Sequence, residues 1–126
     1  MWNEPTKERL DKIPRLYETE SIPLKEKLIH LHFFIMDTDF FICEYDGGTT
    51  FWGFVILNGD MQMSEWGYIN YQDVSSIKVA GVFEVDCEPE NLWRIRPAKE
   101  VALICKAQGW DQGLYIKDKQ KEIMNG

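Results

Sequence analysis

The sequence lacks any hydrophobic run long enough to cross a membrane. Its longest apolar stretch lies near residues 31–36, whereas a membrane-spanning helix needs about 20 such residues. Residues 1–10 are polar and lack the apolar centre of a secretory signal peptide. These absences disfavour secretion and membrane insertion, and they predict a cytoplasmic protein with no membrane partner.

Cysteine is scarce, and its spacing excludes two classes of site. Only Cys43, Cys87 and Cys105 are present, and no CxxC pair occurs. A zinc ribbon or a thioredoxin-type redox site needs such a pair, so neither is indicated. Cys43 lies in an apolar strand pattern and Cys105 in a predicted helix. Both patterns indicate buried, reduced thiols, which are typical of the cytosol.

Positive charge is also in short supply. The 126 residues include 14 Lys and Arg against 21 Asp and Glu, which gives a net charge of −7. Binding along a phosphate backbone requires clustered positive charge, so nucleic acid is a disfavoured partner. A basic protein surface is compatible with this charge.

Motifs for catalysis are absent from the sequence. There is no GxSxG nucleophile motif, and the Gly47-Gly48 pair lacks the Lys and the helix that follow a phosphate-binding loop. Most acidic residues lie near predicted turns, where Asp side chains accept hydrogen bonds from local backbone. We therefore favour a non-enzymatic protein with no cofactor.

Hydrophobic and aromatic residues are plentiful. They include 7 Phe, 5 Trp and 5 Tyr, and the hydrophobic fraction is 44%. A chain of this length forms one domain and buries roughly two thirds of the surface exposed by its unfolded form. Alternating apolar residues and turn signals predict an α+β fold. This fold has a four- to five-stranded, mostly antiparallel β-meander, with an N-terminal and a C-terminal helix packed on it.

The predicted elements follow one another within a single domain, 1–126. A helix capped by Asn3 or Thr6 and an irregular arm occupy about 4–27, and the meander occupies about 28–71. The meander strands are predicted at 28–36, 40–45, 50–57 and 61–66, with Asn58-Gly59 as a hairpin turn and a bulge at Gly67. A helical turn at 72–77 follows. Another strand and a C-terminal helix, 97–108, lie within about 79–109, and a polar tail occupies 111–126.

Symmetric turns would fix which strand residues face one another. The predicted cross-strand pairs are His32 with Cys43, Phe34 with Phe41, Cys43 with Trp52, and Phe41 with Phe54. One predicted face carries His30, His32, Phe34, Phe41, Cys43, Tyr45, Trp52, Phe54, Ile56, Met61 and Met63. The opposite face carries Leu31, Phe33, Ile35, Phe40, Ile42, Val55 and Leu57. Because both faces are apolar, each must be covered, and we expect the C-terminal helix to cover one of them.

Two groups of residues are candidates for function. The aromatics Trp52, Trp66, Tyr68 and Tyr71 are predicted to form a binding surface, because Trp and Tyr dominate protein interfaces. Glu65 joins them as a carboxylate predicted to lie opposite Trp52 on the same face. The second group is a possible metal site of His30, His32 and Cys43, weighed against the simpler interpretation of two half-buried histidines packed beside aromatics.

Three sequence runs resemble a known family. They are PRLYETESIPL at 14–24, FWGFV at 51–55 and EWGYIN at 65–70. They resemble two signatures of the domain of unknown function 2958 family, over roughly residues 8–92. The resemblance implies a small accessory protein of bacterial plasmids, integrative elements or phages. No activity is assigned to that family, so the resemblance implies no catalytic residue.

The leading functional hypothesis is a non-enzymatic protein-interaction module that binds a protein partner. The family resemblance implies an accessory or anti-defence role for a bacterial mobile element. One alternative is a metal-dependent hydrolase that uses His30 and His32. A further alternative is single-stranded nucleic-acid binding through stacking on the sheet aromatics, which the acidic charge disfavours.

Overall fold

A computed structural model describes residues 1–110 of the chain. Its α-helices are α1 (Lys7–Asp11), α2 (Tyr71–Ser76) and α3 (Ala102–Gln108), and short 3-10 turns lie at Leu24–Glu26 and Ala98–Glu100. Its strands are β1 (Leu28–Ile29), β2 (Leu31–Ile35), β3 (Thr38–Tyr45), β4 (Thr50–Ile56), β5 (Glu65–Asn70), β6 (Lys78–Val79), β7 (Phe83–Glu84), β8 (Asp86–Cys87) and β9 (Arg96–Pro97). The predicted tail, 111–126, lies outside the described residues.

The main sheet has five antiparallel strands in the order β5-β4-β3-β2-β8. The α+β fold with its antiparallel meander is therefore confirmed. The prediction of a single strand that begins near residue 79 was wrong. That segment forms the small β6–β7 hairpin and then β8, which pairs with β2 at the sheet edge. A separate pair, β1 with β9, joins the start of the meander to the segment before α3.

Capping residues explain the helix ends. Thr6 caps α1, since its Oγ1 accepts a hydrogen bond from the Arg9 amide at 3.2 Å. Asn70 caps α2 in the same way through the Asp73 amide, at 2.9 Å. Gly109 ends α3 with a φ of 69°, a left-handed conformation that favours glycine. The C-terminal helix is shorter than predicted, because Pro97 belongs to β9 and a 3-10 turn precedes α3.

The first hairpin is tighter than the symmetric turn that the sequence predicted. Ile35 pairs with Thr38 across a two-residue turn in which Met36 has a φ of 50°. Consequently His32 faces Phe41, not Cys43, and Phe34 faces Asp39, not Phe41. The shift is two residues, so the predicted faces survive it, since side chains alternate with a period of two.

A bulge changes the second hairpin after its first half. Phe41 faces Phe54, as predicted, but the register shifts between Ile42 and Glu44. Glu44 therefore faces Trp52, where the sequence had predicted Cys43. A bulge adds one unpaired residue, so the side chains beyond it change faces. Tyr45 accordingly packs on the face opposite to the one predicted for it.

The third hairpin has the predicted turn but a much longer loop. Asn58 and Gly59 both have positive φ, and the Asp60 amide donates to the Leu57 carbonyl at 2.9 Å. The chain then leaves the ladder until β5 begins at Glu65, which faces Val55 and not Trp52. Trp52 instead faces Tyr68. Gly67 is paired regularly within β5, so the bulge predicted there was wrong.

Each face of the sheet is covered by its own hydrophobic cluster. The first face carries Leu31, Phe33, Ile35, Phe40 and Ile42 and meets residues from α2 and the β7–β8 segment. The second face carries Phe41, Cys43, Phe54 and Ile56 and meets Trp93 and α3. The expectation that the C-terminal helix covers one face is confirmed, since Ile104 of α3 is fully buried in the second cluster.

Candidate functional site

The arm that precedes the sheet is anchored by one buried carboxylate. Glu44 is only 5% exposed, and the bulge in β3 places it on the same face as Trp52. Its Oε1 accepts from the Tyr17 amide at 2.9 Å, and its Oε2 accepts from the Thr19 amide at 3.0 Å and from the Thr19 hydroxyl. Backbone donors thus compensate the buried negative charge, and they fix the path of the arm over the sheet.

A buried lysine completes this anchor. Lys27 is 5% exposed, and its Nζ donates to the backbone carbonyl of Thr19 and, at 3.1 Å, to the Thr19 hydroxyl. The same Nζ lies 5.2 Å from the centroid of the Trp52 ring, within the range of a cation–π interaction. Thr19 therefore bonds to both buried charged groups, and the arm, β3 and β4 form one connected polar network.

The arm and the sheet enclose a cleft of about 460 Å³. We call it the aromatic cleft and define it by Tyr17, Leu24, Lys27, Glu44, Trp52 and Tyr68. Ile22 and Pro23 of the arm add an apolar wall. A concave site with apolar walls and a few oriented polar groups is the usual form of a binding site.

Two tyrosines form the rim of the aromatic cleft. The hydroxyls of Tyr17 and Tyr68 lie 2.8 Å apart, although the side chains are 62% and 59% exposed. This hydrogen bond is the main cause of the raised pKa of Tyr68. Tyr17 also has a φ of 73°, an unusual backbone conformation for a residue with a side chain. The hydrogen bond that the Tyr17 backbone amide donates to Glu44 holds this conformation in place.

No protein-family model matches the chain, and neither a curated protein nor a solved structure was found to match it. No helix within residues 1–110 is long and apolar enough to span a membrane.

The structure brings together part of the predicted binding surface. Trp52 and Tyr68 line the aromatic cleft. Trp66 stacks on Trp52 with ring centroids 5.5 Å apart, and its Nε1 donates to the Gln108 side chain at 3.0 Å. Trp66 is thus a half-buried support for Trp52, held by α3. Trp52, Trp66 and Tyr68 are therefore neighbours on one face of the sheet.

Tyr71 and Glu65 lie away from the aromatic cleft. Tyr71 packs in the first hydrophobic cluster, with its ring centroid 4.9 Å from that of Phe51, and burial is the main cause of its raised pKa. Glu65 is exposed at the start of β5 and lines a second groove of about 350 Å³. The two residues are therefore not part of one surface with Trp52.

The second groove, the apolar groove, lies beside β5 and α2. It is defined by Val55, Leu57, Met63, Gly67, Ile69 and Val74. Its charged lining residues are Glu65 and Asp73, both acidic. Tyr68 borders this groove as well as the aromatic cleft, so the two depressions meet at β5.

The residues proposed for a metal site do not form one. His32 is held between two carboxylates, with Nδ1 2.7 Å from Glu88 Oε1 and Nε2 2.7 Å from Asp39 Oδ1. Cys43 is buried in the second cluster, and this burial raises its pKa to about 12. Across residues 1–110, no group of three His, Cys, Asp or Glu side chains has a geometry that could hold a metal ion.

The partners of His32 were not predicted from the sequence. Its ring also stacks on Phe41, with centroids 4.5 Å apart and an angle of 3° between the planes. The simpler interpretation, a histidine packed beside aromatics, describes His32 well, with two acids as its added polar partners.

Proposed function

We propose that the chain is a non-enzymatic protein-interaction module that binds a basic segment of a protein partner in the aromatic cleft. The observation that carries this proposal is the meeting of Tyr17, Trp52 and Tyr68 at one concave site. Aromatic side chains in a pocket supply most of the binding free energy in many interfaces.

The contacts that anchor the walls of the aromatic cleft support this proposal. Glu44 and Lys27 hold the arm through Thr19, and Trp66 supports Trp52 from the sheet. A site whose side chains are already fixed loses less conformational entropy when a ligand binds. Two of its aromatics are nevertheless largely exposed, so they offer apolar area that a partner can cover.

The charge of the cleft favours a basic partner with an apolar anchor. Lys27 is buried and bonded to Thr19, whereas Glu20 is exposed at the lining of the cleft. The whole chain carries a net charge of −7. Complementary charge mainly accelerates association and selects partners, while the apolar anchor supplies affinity.

The family resemblance suggests a biological setting for this proposal. Residues 14–24, which carry part of the resemblance, include Tyr17 and the arm wall of the aromatic cleft. Within the proposal, the module acts in the bacterial cytoplasm as an accessory or anti-defence protein of a mobile element. Its partner would then be a host protein with a basic, apolar segment.

The proposal is tested by selecting short random peptides, displayed on phage, against the immobilised protein. We expect enrichment of peptides that combine Lys or Arg with an apolar or aromatic residue. Tyr68→Ala should weaken their binding about tenfold, the loss expected for an interface aromatic. Phe83→Ala is the control, because Phe83 is also an exposed strand aromatic but lies on the β6–β7 hairpin. Failure to enrich any peptide, or equal loss with both variants, would contradict the proposal.

A further inference from the structure

Within residues 1–110, the outer edge of β5 carries backbone groups that have no partner. The Tyr71 amide donates to the Thr49 carbonyl at 2.8 Å, which sets the alternation of hydrogen-bonded pairs along the β4–β5 ladder. Gly67 and Ile69 then direct their backbone groups toward β4, so Trp66 and Tyr68 direct theirs away from it. Among the described residues, none bonds to these outward N–H and C=O groups.

The opposite edge of the same sheet is covered. The Trp2 amide donates to the Val85 carbonyl at 2.8 Å, and the Cys87 amide donates to the Trp2 carbonyl at 3.1 Å. The amino-terminal segment thus adds a short parallel bridge beside β8. Natural sheets usually cover or disrupt an exposed edge, because unpaired strand edges bind other strands. The edge of β5, in contrast, is bare as far as residues 1–110 are concerned.

The two depressions flank this bare edge. Tyr68 borders the aromatic cleft on one face of β5, and Gly67 and Ile69 border the apolar groove on the other. A Cβ atom at Gly67 would have no neighbour within 4 Å, so no described residue requires glycine there. Glycine inside a strand costs about 0.5–1 kcal/mol relative to alanine. The open space at Gly67 can accommodate a side chain of a bound partner.

We propose that the partner segment binds as an added β-strand along the outer edge of β5. Its backbone pairs with Trp66 and Tyr68, and its side chains point alternately toward the aromatic cleft and the apolar groove. This inference rests on the proposed function and specifies the conformation of the segment that is bound. The occupant is an extended segment with alternating apolar residues and flanking Lys or Arg.

Charge favours this occupant over a second copy of the chain. The exposed charged residues that line the two depressions are acidic, namely Glu20 at the aromatic cleft and Glu65 and Asp73 at the apolar groove. Pairing of two β5 strands would bring these like charges together, which is destabilising in a cross-strand arrangement. A basic strand instead gains favourable contacts with the same carboxylates.

Backbone methylation of a selected peptide tests the added strand directly. N-methyl groups at alternate positions that face β5 should weaken binding about tenfold or more, since each removes a donor and blocks the ladder. N-methyl groups at the intervening positions should change affinity about twofold or less, because those amides point away from β5. The peptide should also slow hydrogen exchange of the Trp66 and Tyr68 amides. An N-methyl scan without alternation would overturn the inference.

Gly67→Val tests the apolar groove without loss of the fold. Valine favours strands, so we expect the melting temperature to stay unchanged or rise, while peptide affinity falls about tenfold because the side chain fills the groove. Gly48→Val is the matched control, since a Cβ there meets only Asp46 Oδ1, at 3.8 Å, and Gly48 lies in the β3–β4 turn. Equal affinity for Gly67→Val and the wild type would also overturn the inference.

The outcomes separate this inference from the proposed function. If peptides bind and lose affinity with Tyr68→Ala, but ignore N-methylation and Gly67→Val, the aromatic cleft binds a partner without strand addition. If no peptide is enriched, both proposals fail. Sedimentation of the free protein gives the remaining outcome: a dimer that Gly67→Val dissociates would identify a second copy as the occupant and overturn the basic segment.

Discussion

Gly53 and Gly67 face each other across the β4–β5 ladder, yet the space around the two glycines differs completely. A Cβ atom at Gly53 would lie 1.9 Å from the Phe41 carbonyl oxygen, so the close approach of β3 and β4 excludes any side chain. A Cβ atom at Gly67 would meet nothing within 4 Å. Packing therefore leaves no free space between β3 and β4, and we call this packed interior, with the segments anchored to it, the closed half of the molecule. The outer edge of β5, in contrast, borders space that the described residues do not fill.

Hydrogen bonding follows the same division. In the part of the chain that the structure describes, every buried side-chain nitrogen and oxygen has a partner. Even the buried charges of Glu44 and Lys27 are bonded, through Thr19. The outward backbone of Trp66 and Tyr68, in contrast, has no described partner. Bonded side chains in the interior and unpaired backbone groups along the outer edge of β5 are what a recognition strand on a stable scaffold requires.

The largest expected effect comes from Gly53→Ala. The new methyl would force β3 and β4 apart next to the bulge, so we expect a loss of about 3 kcal/mol or more in the free energy of unfolding. Urea unfolding followed by tryptophan fluorescence measures this loss. The same substitution at the opposite residue, Gly67→Ala, is the control. A loss below about 1 kcal/mol in the free energy of unfolding would show that β3 and β4 can move apart with little energetic cost.

A smaller loss is expected from Glu44→Gln, which tests whether the arm belongs to the closed half. The amide keeps one carbonyl acceptor but loses the charge that the Tyr17 and Thr19 amides bond, so we expect about 2 kcal/mol of destabilisation. Limited proteolysis should then cut the arm before the sheet. Glu20→Gln is the control, because Glu20 is exposed in the same cleft. Equal stability of both variants would mean that the arm is held by other contacts.

Alternation of apolar residues predicted most of the closed half. It gave the antiparallel order of β2 to β5, the pairing of Phe41 with Phe54, and nearly all members of the two faces. These features depend only on side chains that alternate every two residues. The stop at Gly109 was also predicted, and Thr6 was one of the two predicted caps, because each feature depends on local backbone geometry.

The features that create the candidate site were not predictable from local patterns. The bulge between Ile42 and Glu44 moves one carboxylate onto the Trp52 face, and nothing in an apolar run marks where such a bulge falls. The register predicted for the third hairpin was wrong for a different reason. The Gly59 amide donates to the Asp37 carbonyl at 2.8 Å, which ties this turn to the neighbouring turn, and β5 begins only at Glu65. A charged residue inside a strand, Glu44, was the one available signal.

The pH dependence of stability gives a still smaller test of the closed half. Burial lowers the pKa of His30 from its ordinary value of 6.5. The unfolded chain therefore binds this proton first as the pH falls, and the free energy of unfolding should decrease below about pH 6.5. It should level off once the folded His30 is protonated as well. Arg9, Lys12 and Glu90 line the same small cavity as His30.

His30→Gln isolates that contribution, because glutamine does not titrate and the backbone bond from residue 30 to the Ile42 carbonyl is kept. Urea unfolding at a series of pH values from 8 to 5 should show a steeper decline for the wild type than for the variant. Parallel curves would mean that His30 titrates alike in the folded and unfolded chains, and that its surroundings are open to water.

The smallest expected effect is that of Gly67→Ala on the free energy of unfolding. The sign of this change shows whether the space beside Gly67 differs from that beside Gly53. If the space at Gly67 is truly unoccupied, alanine should raise the free energy of unfolding by about 0.5 kcal/mol, since it lowers the entropy of the unfolded chain and favours the strand. Replicate urea curves can resolve that difference. A loss of stability would mean that the folded chain itself uses the space beside β5. The apolar groove would then belong to the closed half, and this result would contradict the proposal that β5 binds a partner strand.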